Sequence, residues 1–280
     1  MKIAFVGHVC VDKNVVRGQT ETLYGGGVMH GGITARRLGM ESIVVTKCAD
    51  ADCPGFGGLA EAGVQVNWLP SPTSTSIQNV YPTENPDDRE SRLISRASPF
   101  TAHEVDQIAA LRADVVHVNP LWFGEFPPAL LTALRPKVSF LAADAQGFLR
   151  VAATDGRMAH QDLSDKQKTL VQLDLLKVDA KEALVLTGIN NPRDAARAVK
   201  ALGPRLVLLT HRDGLCVCSG EDIYEAAFRG FTLEGRTGRG DTCTASFLAA
   251  RGRAMSLPQA VEFAADITSR KMQYPGPFRG

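Results

Sequence analysis

The chain has 280 residues, 44% apolar and 22% charged, with a formal net charge of +1. That balance suits a globular protein with a full core. It argues against the basic excess of a nucleic-acid binder and the long apolar run of a membrane span. Six cysteines occur without a Cys-x2-Cys pair or a His pair at ligand spacing, which argues against zinc and against a disulfide framework. The apolar start, Met1 to Gly7, is too short for a signal peptide, so a cytoplasmic chain with reduced thiols is expected.

In chain order, Lys2 to Gly7 reads as a short apolar strand, and Asp12 follows just past its C-terminal end, where ligands bind in open α/β sheets. Lys13 to Tyr24 alternates weakly, as a small hairpin would. The run from Gly25 to Gly39 lets backbone approach a ligand or a neighbouring element, and Ala35 to Leu38 forms a short helix closed by Gly39. A dinucleotide fingerprint is rejected: the run comes a hairpin too late, and its third glycine position falls on His30. Ile43 to Thr46 and Val64 to Leu69 read as strands around a helix from Gly57 to Ala62. Thr75 to Tyr81 and Ser91 to Arg96 read as a hairpin with a polar turn at Glu84 to Arg89. Their mixed composition fits a sheet with one wet face. From Ala102 on, helices and strands alternate, with strands at Val115, Val138, Leu173 and Leu206, and with Asp144 again at a strand end. Such alternation predicts a mostly parallel sheet covered by helices on both faces.

The most informative stretch is Gly235-Arg-Thr-Gly-Arg-Gly-Asp-Thr-Cys-Thr-Ala-Ser-Phe247, a glycine turn leading into a helix. Thr237 or Asp241 could cap that helix. Free N–H groups at a helix start bind anions. A carboxylate beside them is unhelpful for binding, because like charges repel. It makes sense if Asp241 takes a proton from a hydroxyl attacking a phosphoryl group. A capped helix after a glycine turn is the plainer alternative.

Three stretches together resemble the ribokinase-like, or PfkB, family of carbohydrate and nucleoside kinases. They are Gly25-Gly26-x-x-x-His30 before Arg37-Leu38-Gly39, Asp179-Ala-Lys-Glu182 before Thr187-Gly188, and Thr237-Gly-Arg-Gly-Asp241. The resemblance implies an α/β three-layer sandwich with a mostly parallel central sheet and a small β-sheet lid. It implies one kinase domain over 1–280, with lid segments at about 12–24 and 73–97. Asp241 would be the catalytic base, with the backbone N–H groups of Gly238, Arg239 and Gly240 as anion hole. Asp12, Gly25, Gly26 and His30 would face the acceptor. Asp179, Thr210, Gly214 and Thr237 would lie at the nucleotide, and Glu182 would order magnesium through water. ATP and Mg2+ are the implied cofactors. A homodimer through the exposed lid edge is expected, since an open edge invites pairing.

The chain departs from the family pattern at four places. His30 and Asp179 stand where asparagine is usual. Arg239 fills a usually small position, and His211-Arg-Asp-Gly214 is shorter than the usual glycine turn. Asp144 to Arg150 and Lys271 to Phe278 resemble the branch that includes archaeal myo-inositol kinase. The expected function is therefore ATP-dependent phosphorylation of a small polyol, a sugar or a cyclitol. A nucleoside kinase and a non-catalytic sugar or nucleotide binder on the same fold are the alternatives.

Overall fold

The structure is a computed structural model that describes all residues except 17, 82–89 and 231–236. The turn expected at 84–89 and Gly235 therefore lie outside the described residues.

The chain begins β1 (Lys2–Val6), β2 (Cys10–Val16), β3 (Gln19–Gly25), α1 (Gly27–Arg37), β4 (Glu41–Cys48), α2 (Gly58–Glu61), β5 (Gln65–Pro70), β6 (Thr75–Tyr81) and β7 (Glu90–Ser95). It continues α3 (Ala102–Ala110), β8 (Val115–Val118), α4 (Pro128–Leu134), β9 (Leu141–Asp144), α5 (Gln146–Leu149), β10 (Arg150–Ala152), β11 (Met158–His160) and α6 (Lys166–Leu170). It ends β12 (Leu175–Asp179), α7 (Ala180–Thr187), α8 (Pro192–Ala201), β13 (Leu206–Thr210), β14 (Gly214–Ser219), β15 (Asp222–Ala227), α9 (Arg239–Gly252) and α10 (Leu257–Lys271).

The main sheet runs β15-β14-β13-β12-β9-β8-β1-β4-β5. It is parallel from β13 to β5, and β14 and β15 are antiparallel additions at one edge. The central strands are apolar on both faces, as a sheet covered on both sides requires. Phe5, Val115, Ala142, Leu175 and Leu208 pack under α1, α9 and α10. Val6, Val116, Ala143, Leu176 and Leu209 pack under α3, α4, α7 and α8. This is the expected three-layer sandwich. A separate four-stranded sheet, β3-β2-β6-β7, joins the two hairpins read from the sequence, with β2 and β6 parallel at their seam. Asp12, expected just past the end of β1, belongs to the small sheet. It lies inside β2, paired in register with Leu23 and Ile77.

The helix in the glycine run is longer than the expected Ala35 to Leu38. Gly27, Gly31 and Gly32 are all helical, so α1 starts well before Ala35. The reason is close packing: a Cβ on Gly31 would lie 2.8 Å from Phe5, and one on Gly32 would lie 2.7 Å from Val44. Glycine costs helix propensity, but here it lets the helix sit directly on the sheet. Among the described residues, no helix is long and apolar enough to cross a membrane.

Candidate functional site

The C-terminal ends of four adjacent main-sheet strands carry Asn119 just after β8, Asp144 on β9, Lys177 and Asp179 on β12, and Thr210 on β13. This is the edge where open parallel sheets bind ligands. Two helix N-termini point at it. The cap of α9 is Gly238, with φ 78°, and no side chain caps the helix. The expected cap by Thr237 or Asp241 is therefore not formed. A left-handed cap residue is best supplied by glycine, and it leaves the first turn open. The first helical bond runs from Thr242 N–H to Gly238 C=O at 2.9 Å, so the N–H groups before it project from the helix end.

Asp241 has another partner. Asn119 Nδ2 donates to Asp241 Oδ1 at 2.7 Å, which leaves Oδ2 for a substrate hydroxyl. Gly27, in the first turn of α1, closes the other side: a Cβ there would fall 2.5 Å from Asp241 Oδ1 and 2.4 Å from Asn119 Nδ2. The carboxylate thus sits between two helix N-termini, whose dipoles favour negative charge. Lys271, at the end of α10, is fully buried and donates to the Thr237 carbonyl. Burial lowers its pKa to about 8, against the pull of Asp241.

His30 packs against the Gly238 turn, where a Cβ would meet its Nδ1 at 2.3 Å. Its ring is buried and Nδ1 has no hydrogen-bond partner. Burial lowers its pKa to about 4, opposed by Asp241 and helped by Lys271, so the ring is neutral. One would-be Cβ on Gly25 would lie 3.6 Å from Asp12 Oδ2 and 3.8 Å from His30 Nε2. Asp12, Gly25, Gly26, His30 and the α9 turn therefore lie together. On the small sheet beside Asp12, Ser91 donates to Asn79 Oδ1 at 2.8 Å and Asn79 Nδ2 donates to Asn14 Oδ1 at 3.1 Å. Leu121 and Trp122 pack with Ile77 and Leu93 beneath that sheet.

The other half of the site is charged. Lys177 is buried, 3.1 Å from Asp144 and 3.7 Å from Glu182. Burial alone would lower its pKa, but Asp144, Glu182, Asp179 and Asp241 together raise it, so it is a fixed cation. Asp179 and Glu182 form a capping box on α7: Asp179 Oδ1 accepts from Glu182 N–H at 2.8 Å, and Glu182 Oε2 accepts from Asp179 N–H at 2.6 Å. Burial, then the charge of Asp179, pushes Glu182 up to about 8. Among the described residues, no three His, Cys, Asp or Glu side chains are grouped to hold a metal directly. The donor set here is all oxygen, with carboxylates in excess over the one ammonium. That suits a hydrated magnesium contacted through water, the role expected of Glu182.

Beyond Thr210 the chain turns tightly. His211 N–H donates to Gly214 C=O at 2.9 Å, and Phe228 N–H donates to Asp213 C=O at 2.9 Å. Gly214 is needed for strand pairing, since a Cβ would lie 2.3 Å from Ala226 C=O. The Arg239 guanidinium lies over the Phe228 ring, 5.8 Å from its centroid.

The sequence reading missed Asn119, Lys177, Asn14, Asn79 and Ser91 as site residues, noted Asp144 as a strand-end carboxylate without a role, and noted Lys271 only as part of an unusual stretch. The signal was weak: each is a single polar residue in an otherwise ordinary strand or helix. A lysine inside the apolar run Leu175-Leu-Lys-Val-Asp179 was the one conspicuous exception.

Comparison with known proteins agrees with this geometry. The family described as pfkB family carbohydrate kinase matches residues 58–278. A pyrophosphate-dependent kinase in the ribokinase family, solved with a pyrophosphate analog and myo-inositol, is 48% identical. The match covers 99% of this chain and 97% of that one, with a TM-score of 0.93. A second solved structure is 47% identical over 99% of this chain and 95% of that one, with a TM-score of 0.91. It is a pyrophosphate-dependent myo-inositol-1 kinase converted into a myo-inositol-3 kinase by changing one asparagine and one serine to leucine. A cytidine kinase of Thermococcus kodakarensis is 25% identical over 93% of this chain and 92% of its own length. The chain belongs to the pfkB family of carbohydrate kinases: it is a phosphotransferase with the ribokinase-like fold.

Proposed function

We propose that the protein transfers a phosphoryl group from pyrophosphate to a hydroxyl of myo-inositol or a closely similar cyclitol. The observation that carries this reading is the near-complete match, at 48% identity, to a pyrophosphate-dependent kinase solved with myo-inositol. The local geometry supports it. The tight turn at 211–214 and the Arg239–Phe228 stack give the donor end a charged rim, where a flat base would need an apolar slot. ATP, the donor implied by the family resemblance, is thus replaced in this reading by an inorganic anhydride.

In this reading the α9 turn holds the transferring phosphoryl by its free N–H groups, which are preorganised for developing charge. Asp241 Oδ2 receives the acceptor proton, and Asn119 keeps the carboxylate aimed. Neutral His30 supports the Gly238 turn and presents Nε2 toward the acceptor side. Asp12 and the Asn14–Asn79–Ser91 chain recognise hydroxyls, and the small sheet acts as a lid that excludes water. Glu182 and Asp179 would hold the water shell of a magnesium ion, which would supply positive charge against the phosphates.

The cytidine kinase similarity supports a second reading, a nucleoside as acceptor. The test is kcat/KM with pyrophosphate for myo-inositol, ribose and cytidine. Preference for myo-inositol is expected, and preference for cytidine overturns the cyclitol assignment.

A further inference from the structure

We infer that Lys177 is a donor-binding cation, whose ammonium contacts the phosphate oxygens of the donor beside the α9 turn. The inference rests on the pyrophosphate reading above and names the residue that makes an inorganic donor sufficient. Lys177 stands on the face of β12 that α9 covers, in register with Asp144 of β9. A Cβ on Gly240 would lie 3.0 Å from its Nζ, so glycine there lets the ammonium abut the open helix end. An ammonium has three N–H donors. Among the described residues its carboxylate neighbours are Asp144, at 3.1 and 3.5 Å, and Glu182, at 3.7 Å. At least one donor is left over, on a side chain about nine-tenths buried, next to backbone N–H groups that also seek an anion.

A lysine that only neutralised Asp144 and Glu182 would have its donors filled by them. Burying an ion pair is not itself a source of stability, so its value has to come from elsewhere. Transfer supplies that need. As the acceptor O–P bond forms, the P–O bond to the second phosphate breaks. The electron pair stays on departing orthophosphate, and the hydroxyl proton passes to Asp241. A nucleoside donor adds binding energy through its base and ribose. Pyrophosphate has only oxygens to hold, so fixed cations must supply the binding.

The test uses calorimetric titration of the magnesium-loaded protein with methylenediphosphonate and, separately, with myo-inositol. Lys177→Met removes the charge. Lys177→Met with Asp144→Asn removes it while keeping the buried charge balanced, so a folded variant is available. Loss of a buried charge partner costs a ligand at least ~30-fold in affinity. That loss is expected for methylenediphosphonate in both variants, with myo-inositol affinity unchanged. Unchanged methylenediphosphonate affinity in the folded double variant overturns the inference, as does an equal loss for both ligands. If the wild type binds a non-hydrolysable ATP analogue and no methylenediphosphonate, the pyrophosphate reading fails by itself. Lys177 is then judged by the ATP analogue in the same variants, where a loss supports its role and no change overturns it.

Discussion

The two ends of the site are built from different materials. The proposed donor end holds Lys177, Asp144, Asp179 and Glu182 around the open turn of α9, with charges buried and backbone packed through glycine. The proposed acceptor end, on the small sheet, is built on amides and a hydroxyl: Asn14, Asn79 and Ser91 form a hydrogen-bonded chain on the sheet that also carries Asp12. Under the proposed function, the difference follows from what each end would recognise. A phosphoryl group is recognised by charge, and fixed dipoles stabilise it most when they cannot move. A cyclitol differs from its isomers only in the direction of hydroxyls. Directional neutral donors and acceptors discriminate those, because an unmatched group stays unpaired.

The largest effect should come where the two ends meet. Asp241→Asn removes the proton acceptor but keeps the Asn119 contact and the helix turn. Turnover should fall at least ~10²-fold, while calorimetric affinities for myo-inositol and methylenediphosphonate hold. Near-normal turnover would remove Asp241 from the chemistry.

Gly238→Ala attacks the α9 turn at the donor end. Its left-handed φ is unfavourable for alanine by roughly 1–2 kcal/mol, and the added methyl would strike the His30 ring. Lower thermal stability and weaker donor binding are expected together. A variant as stable and as active as the wild type would show that the turn is not rigid.

At the acceptor end, Asn79→Leu with Ser91→Leu should change which hydroxyl is phosphorylated more than it changes overall rate. The same pair of residue types, changed to leucine, redirected the similar kinase. Chiral chromatography of the product reads the outcome. An unaltered product with reduced rate would place this pair outside the recognition surface.

The smallest effect is a pH dependence. Burial lowers the Lys271 pKa to about 8 from its ordinary 10.5. Between those values the unfolded chain binds the extra proton and the folded chain does not, so stability rises with pH through that window. The ammonium beside Asp241 is lost over the same range, and turnover should fall above about pH 8. Lys271→Met should flatten both trends. Parallel curves for wild type and variant from pH 7 to 10 would contradict the assignment.

The fold was legible because its signals are repeated. Alternating apolar strands and helices define a covered parallel sheet, and the hairpin at Thr75 to Arg96 declared itself by its mixed faces. Asp241 was legible because a carboxylate after Gly238 and Gly240 has few other uses. The helix α1 was read too short, from Ala35, because its glycines are poor helix formers that serve contact with Phe5 and Val44, partners distant in sequence. Lys177 and Asn119 stayed hidden for the same reason: each acquires meaning only from the helix that β-strand order brings over it.

The central claim is that inorganic pyrophosphate is the donor. The most direct measurement is phosphorus NMR of the wild-type protein with myo-inositol and magnesium, supplied in turn with pyrophosphate and with ATP. The account predicts that the pyrophosphate signal converts into equal amounts of inositol phosphate and orthophosphate, with ATP consumed slowly or not at all. Inositol phosphate formed with ADP from ATP, and pyrophosphate left intact, would contradict it.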